Sequence, residues 1–184
     1  MKKTTLSLCM IVKNEEKMLK DCLASVQDIV DEIIIVDTGS TDTTLGIAKH
    51  FNAKIYHYKW NGNFSDARNE SISHATGDWI LWLDADERLN RKSLPELRQV
   101  IRHKPPGPEI YKINIKNFQK GDYYYISDAH RLFTNFFGIE FTGRIHEQIS
   151  PSLKKLKGKD HHNLKSILYK EIQQGLIHVK QQEL

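Results

Sequence analysis

The sequence predicts an α/β domain: one mixed, mainly parallel sheet with helices on both faces. Three observations carry that expectation. Short apolar runs recur along the first ninety residues at intervals that leave room for a helix between them. Two of these runs stop abruptly at an aspartate, Asp37 and Asp84. Sheets of this kind bind ligands at the carboxyl ends of their strands, which is where both aspartates fall. The 184 residues suit one domain with its own core.

The elements follow in order. Leu6 to Val12 is an apolar run that reads as a buried strand. Asn14 is placed to cap the next helix, with Glu15 and Glu16 in its first turn, and Leu19, Leu23 and Val26 repeat at helical spacing. Glu32 to Asp37 is a second buried strand, and Thr38-Gly-Ser-Thr-Asp42 a turn and helix start. A helix through Ile47 and Ala48 leads to a third strand, Lys54 to Tyr58. Phe64 to His74 reads as a helix beginning near Ser65, and Asp78 to Asp84 as the fourth strand. Leu94 to Arg102 is a short helix, after which Lys104-Pro-Pro-Gly-Pro108 breaks the pattern. Ile110 to Ile115 alternates like a half-exposed strand, and Tyr123 to Phe133 is β-prone. The second half is therefore expected to add α+β elements to the same sheet. Leu164 to Gln174 is read as a helix.

Apolar residues at 39% and charged residues at 27% place the chain among globular rather than disordered proteins. The net charge of +4 is modest, and much of the excess sits after Pro151, in Lys154, Lys155, Lys157, Lys159 and Lys165. Such a tail suits phosphate, nucleic acid or anionic lipid; the plainer reading is a solvated surface. No nucleic-acid partner is expected. Cys9 and Cys22 form no C-x-x-C motif and read as small buried hydrophobes in a reducing compartment. The apolar run after Met1-Lys-Lys3 is too short for a signal peptide or a membrane span. A cytoplasmic protein is expected, with peripheral membrane contact through the basic tail left open.

Asp84-Ala-Asp86-Glu87 concentrates negative charge in the loop after an apolar strand, which is costly to desolvate without a cation. Asp84 and Asp86 alternate in extended backbone and can converge on one ion; hard oxygen ligands suit Mg²⁺ or Mn²⁺, which bridge to phosphate oxygens. The competing reading is turn and cap duty. At Asp37, the following Gly39 can take a backbone conformation closed to other residues. Thr41 or Asp42 can cap the next helix, whose N-terminus is a natural anion site, and Asp37 itself can accept from a base or ribose. Arg68, in Asp66-Ala-Arg-Asn69, offers a planar fork to phosphate or carboxylate; the alternative is an internal ion pair with Asp66 or Asp84. His146-Glu147 pairs a metal-ligand type with a general-base type, against the usual structural role of a lone histidine. His161-His162 reads as exposed tail, and Trp60, Trp79 and Trp82 as core or pocket wall.

Five stretches together resemble a known family: Leu6 to Glu16 (LSLCMIVKNEE), Asp31 to Asp42, Phe64 to Asn69, Gly77 to Glu87 and Gly143 to Glu147. In order and spacing they are similar to the family 2 inverting glycosyltransferases of GT-A fold, nearest to a bacterial subgroup that modifies lipopolysaccharide core or peptides. The resemblance implies a catalytic domain over residues 1–150, followed by a basic, partly helical extension over 151–184 that departs from the family pattern. It implies a UDP-sugar donor, Mn²⁺ or Mg²⁺, and a saccharide, lipid-linked or peptide acceptor. Asp37 would bond the uracil, with Val12 and Asn14 lining that pocket, and Arg68 and Asn69 would lie near the diphosphate. Asp84 and Asp86 would form the D-x-D motif, Asp86 being the more direct metal ligand, and His146 would complete the metal or diphosphate site. Glu147 is the candidate catalytic base, with Asp128 as rival. A nucleotidyltransferase would need a glycine-rich loop where Val12-Lys-Asn-Glu-Glu16 has none. A non-catalytic module that binds nucleotide-sugar is the alternative reading.

Overall fold

The computed structural model describes residues 3–118 and 123–171, with side chains through residue 158. The chain runs β1 (Leu6–Val12), α1 (Leu19–Val26), β2 (Glu32–Asp37), α2 (Thr44–His50), β3 (Lys54–His57), α3 (Phe64–Ser73) and β4 (Trp79–Trp82). It continues with β5 (Glu87–Leu89), α4 (Leu94–Val100), β6 (Glu109–Phe118), β7 (Tyr124–Thr134), α5 (Ser150–Lys155) and β8 (Lys159–Glu171). One sheet holds all the strands in the order β3-β2-β1-β4-β7-β6-β8-β5. β1 lies parallel between β2 and β4, and β3 adds parallel to β2. β7 is antiparallel to β4 and to β6, β8 runs parallel to β6, and β5 closes the edge antiparallel to β8. The expected mixed, mainly parallel sheet is present.

Alternation along the strands builds a core on each face. Leu6, Leu8, Met10 and Val12 of β1 pack with Leu19, Cys22, Leu23 and Val26 of α1 and with Ala48 and Leu97. The residues between them point the other way: Cys9, Ile34, Ile80 and Trp82 pack with Phe133, Phe141, Ile149 and Leu153 of α5, and with Ile72 of α3. Helices thus cover both faces because successive strand residues are apolar on both sides.

Two expectations about local structure are corrected. Asn14 does not cap α1, which begins only at Leu19 with Met18 at its N-cap position and no side-chain cap. Instead Asn14 takes a left-handed backbone (φ 55°) and turns its side chain across to the next loop. Leu164 to Glu171 is strand, not helix; Ile172 to Gln174 lie outside the described residues. The register explains the misreading. Ile113 pairs with Leu164 but Asn114 pairs with Ile167, so β8 carries extra residues against β6. In the sequence Leu164, Ile167 and Leu168 stand at helical spacing, yet they pair with β6 across this irregular register. His161 and His162, expected in an exposed tail, lie within this strand.

Candidate active site

Two turns at the carboxyl ends of β2 and β4, one on either side of β1, form the candidate site. The first starts at Asp37, whose carboxylate is almost fully buried. It accepts from the Ser40 amide at 3.0 Å and the Gly39 amide at 3.2 Å, and Gly39 has φ 114°, a conformation closed to a side chain. His57, exposed at the end of β3, places Nδ1 3.4 Å from Asp37 Oδ2. The turn is tied to the loop after β1 by reciprocal bonds. Asn14 Oδ1 accepts from the Thr41 amide while the Asn14 amide donates to Ser40 Oγ. Asp42 accepts from the Thr44 amide at the start of α2 and from the Glu16 amide, and Glu16 in turn accepts from Thr43. The N-cap position of α2 is Thr43, with no side-chain cap, so neither Thr41 nor Asp42 caps the helix as expected; Asp42 holds the Thr44 amide from the residue before it. Val12, buried at the strand end, accepts from Thr38.

The second turn starts at Asp84. The Glu87 amide donates to the Asp84 carbonyl at 3.0 Å, which closes it, and Glu87 Oε2 accepts from the Asp84 amide at 3.1 Å. Glu87 is fully buried and Asp86 partly exposed. Arg68, buried on α3, donates Nη2 to Asp84 Oδ1 at 3.0 Å and Nε to Glu147 Oε1 at 2.6 Å. Of the two readings of Arg68 as an ion-pair partner, Asp84 is the acid it meets; Asp66 bonds Asn61 instead. Burial alone would lower the Arg68 pKa, but the Asp84 and Glu147 carboxylates outweigh it and raise it.

Sequence reasoning passed over Arg131. It is buried at 5% exposure, with Nη2 2.5 Å from Glu87 Oε1 and 3.4 Å from Asp84 Oδ2. It stands at a β-bulge: Tyr111 pairs with Leu132 but Lys112 with His130, so Arg131 is the unopposed residue of β7. The Arg68 and Arg131 guanidiniums both lie over the Trp82 ring, 3.8 and 3.5 Å from its centroid, and Trp82 Nε1 donates to the His130 carbonyl. A charge inside the β-prone run Tyr123 to Phe133, next to Leu132-Phe133, was the available signal.

The segment after β7 folds back onto α3. Asn69 exchanges hydrogen bonds with the Phe141 amide and carbonyl, Ser65 donates to the Gly143 carbonyl, and the Arg144 carbonyl accepts from the Phe64 amide. Thr142 and Gln148 pair across the loop between them, with Gly143 at φ 101°. Glu147 points inward to Arg68, while His146 is exposed. Asp128 lies on β7, paired with Lys112 at 3.2 Å. The structure thus joins Asp84, Arg68 and Glu147 in one network and sets Asp37, Val12 and Asn14 together in the other turn. It commits both ends of the Asn69 amide to the backbone of Phe141 and leaves Asp128 in a separate ion pair.

Among the described residues, no three His, Cys, Asp or Glu side chains gather as a metal cluster, so Asp84, Asp86 and His146 do not form one. The donor set nevertheless fits a divalent cation. Asp84 and Asp86 offer hard carboxylate oxygens from one turn, both partly exposed, beside the Glu87 and Glu147 carboxylates that Arg131 and Arg68 hold. One or two carboxylates suffice when substrate phosphates complete the coordination.

The family model described as glycosyl transferase family 2 matches residues 7–153. The chain belongs to glycosyl transferase family 2. A TPR repeat-containing protein of Synechococcus elongatus is 44% identical over 154 residues, covering 84% of this chain and 38% of that protein. The SPbeta prophage-derived glycosyltransferase SunS of Bacillus subtilis is 34% identical over 149 residues, 78% of this chain and 34% of SunS. The chain therefore spans under two fifths of the length of these relatives. Residues 1–349 of S. aureus TarS in complex with UDP superpose with a TM-score of 0.68 at 18% identity, covering 91% of this chain and 60% of that one. The TarS complex with UDP-GlcNAc gives a TM-score of 0.70, also at 18% identity, over 93% of this chain and 59% of that one. The fold is that of the GT-A glycosyltransferases.

Proposed function

We propose that this family 2 domain transfers a sugar from a UDP-sugar to an acceptor nucleophile, with inversion and with the help of Mn²⁺ or Mg²⁺. The observation that carries the reading is the pairing of two turns across β1: a buried, preorganised aspartate at Asp37, and a carboxylate-rich turn at Asp84–Glu87 whose Asp84 and Glu87 are held by buried arginines. Uridine is proposed as the nucleoside because the TarS chains of like fold are complexes with UDP and UDP-GlcNAc.

In this reading Asp37, set by Gly39 and Ser40, accepts from the base, with Val12 and Asn14 beside it. Asp86, with Asp84, holds the cation, which when bound supplies Lewis-acid stabilisation of the departing diphosphate. Arg68 keeps Asp84 and Glu147 in fixed orientation. Glu147 takes the acceptor proton as the single displacement proceeds; its tie to Asp84 through Arg68 favours it over Asp128, which pairs with Lys112 outside that network. His146, exposed on the neighbouring loop, contributes to the diphosphate once the donor is bound. The acceptor class, whether saccharide, lipid-linked or peptide, is set by surfaces beyond these residues. Thermal shift across a panel of UDP-sugars, with and without Mn²⁺, tests the reading. Stabilisation by at least one UDP-sugar that needs the metal is expected; none with any member would overturn it.

A further inference from the structure

The bulged arginine has no role in the family pattern quoted from the sequence, yet it is buried and tightly held. Its Nη2 is the only hydrogen-bonding atom the guanidinium uses among the described residues, and Nε and Nη1 are buried without partners. A buried arginine with two unsatisfied nitrogens is expensive, and its stacking on Trp82 offsets only part of that. A purely structural counter-ion for Glu87 would not require a break in strand register to deliver it.

Resting on the metal-assisted reading above, we propose that Arg131 is a positioning residue for the cation turn. Glu87 is its anchor at 2.5 Å, and Asp84 Oδ2 its longer contact at 3.4 Å. Glu87 in turn holds the Asp84 amide, so one side chain fixes both the backbone of the turn and the direction of the Asp84 carboxylate. Arg68 grips the other oxygen, Oδ1. Because Arg131 is anchored at Glu87, its longer contact to Asp84 would be the one to give way if Asp84 took up a cation. Partners that orient a metal ligand in this way typically carry a 10–100-fold effect on metal affinity.

Titration calorimetry of UDP, in Mn²⁺ and in EDTA, tests the assignment on two variants. Arg131→Lys keeps the charge but loses the fork. The double change R131M/E87Q removes both buried charges together, which proteins often tolerate better than loss of one partner. In both variants, metal-dependent UDP affinity is expected to fall about 10-fold or more, while affinity in EDTA stays within about twofold of the parent. Unchanged metal dependence in a folded variant, or an equal loss with and without metal, would overturn the proposal. A parent protein that shows no metal-dependent UDP binding would instead refute the functional reading on which it rests.

Discussion

Arg68 Nε donates to Glu147 Oε1 at 2.6 Å, tying the middle of α3 to a loop that follows β7. The same guanidinium holds Asp84. One side chain thus connects the turn after β4 to the segment that carries the candidate base, and each of the three elements depends on it.

Replacing Arg68 with methionine should take from the partly buried Glu147 carboxylate its arginine partner and leave Asp84 with the longer contact to Arg131. A loss of about 3–5 kcal/mol is expected, read from urea denaturation. Hydrogen exchange should also rise selectively in residues 141–148, because Arg68 is one of the ties from α3 to that loop.

Asp86 is partly exposed, at the tip of a turn whose closing bonds it does not make. Asp86→Ala should abolish the metal-dependent stabilisation by UDP, read as the difference in melting temperature with and without Mn²⁺. Retained metal dependence would remove Asp86 from the site.

Glu32 gives the pH dependence. Burial pushes its pKa up, but Lys54, Ser7 and Thr76 bond its carboxylate and bring it down from 4.5 to about 2. A depressed folded-state value stabilises above the unfolded value, so the contribution is complete above about pH 4.5 and is lost as pH falls toward 2. At neutral pH, Glu32→Gln should cost up to about 3 kcal/mol. The gap between variant and parent should close across that acid window in denaturation curves taken at successive pH values.

Gly77 sits where β4 approaches β1. A methyl group there would meet the Ser7 amide nitrogen at 2.9 Å and Ser7 Oγ at 2.5 Å. The first contact is backbone and cannot turn aside, so Gly77→Ala should destabilise by about 1–3 kcal/mol in the same assay.

Both thiols are fully buried, which pushes their pKa values well above the ordinary range. Cys9 and Cys22 should resist iodoacetamide in the native protein at pH 8 and react after unfolding, as mass spectrometry of the two states would show.

The first half of the fold was readable in the sequence because its strands are continuous apolar runs. Leu6–Val12 and Glu32–Asp37 match the expected bounds, and Phe64–Ser73 ends one residue short of expectation. What escaped was decided by distant partners. Asn14 looks like a cap, but Thr41 and Ser40 claim it from the neighbouring loop. Leu164 to Leu168 carries helical spacing, and pairing with β6 and β5 makes it strand. Within the site, Asp37 and Asp84 were visible because they end strands. Glu87 was read as part of an open acidic cluster, whereas the structure buries it completely against an arginine 44 residues away in the chain. No local pattern encodes that pairing.

The arrangement around β1 also limits how the domain can change. Asp37 and Asp84 hang from strands hydrogen-bonded to the same central strand, so their separation is set by two inter-strand steps of about 4.8 Å each. Loop insertions can alter what surrounds that gap but cannot widen it without breaking the sheet. In the proposed transfer, variation is therefore expected beyond the two aspartates, on the acceptor side. A library that varies loop length there, with β1, β2 and β4 held constant, should change the proposed acceptor while leaving UDP binding intact.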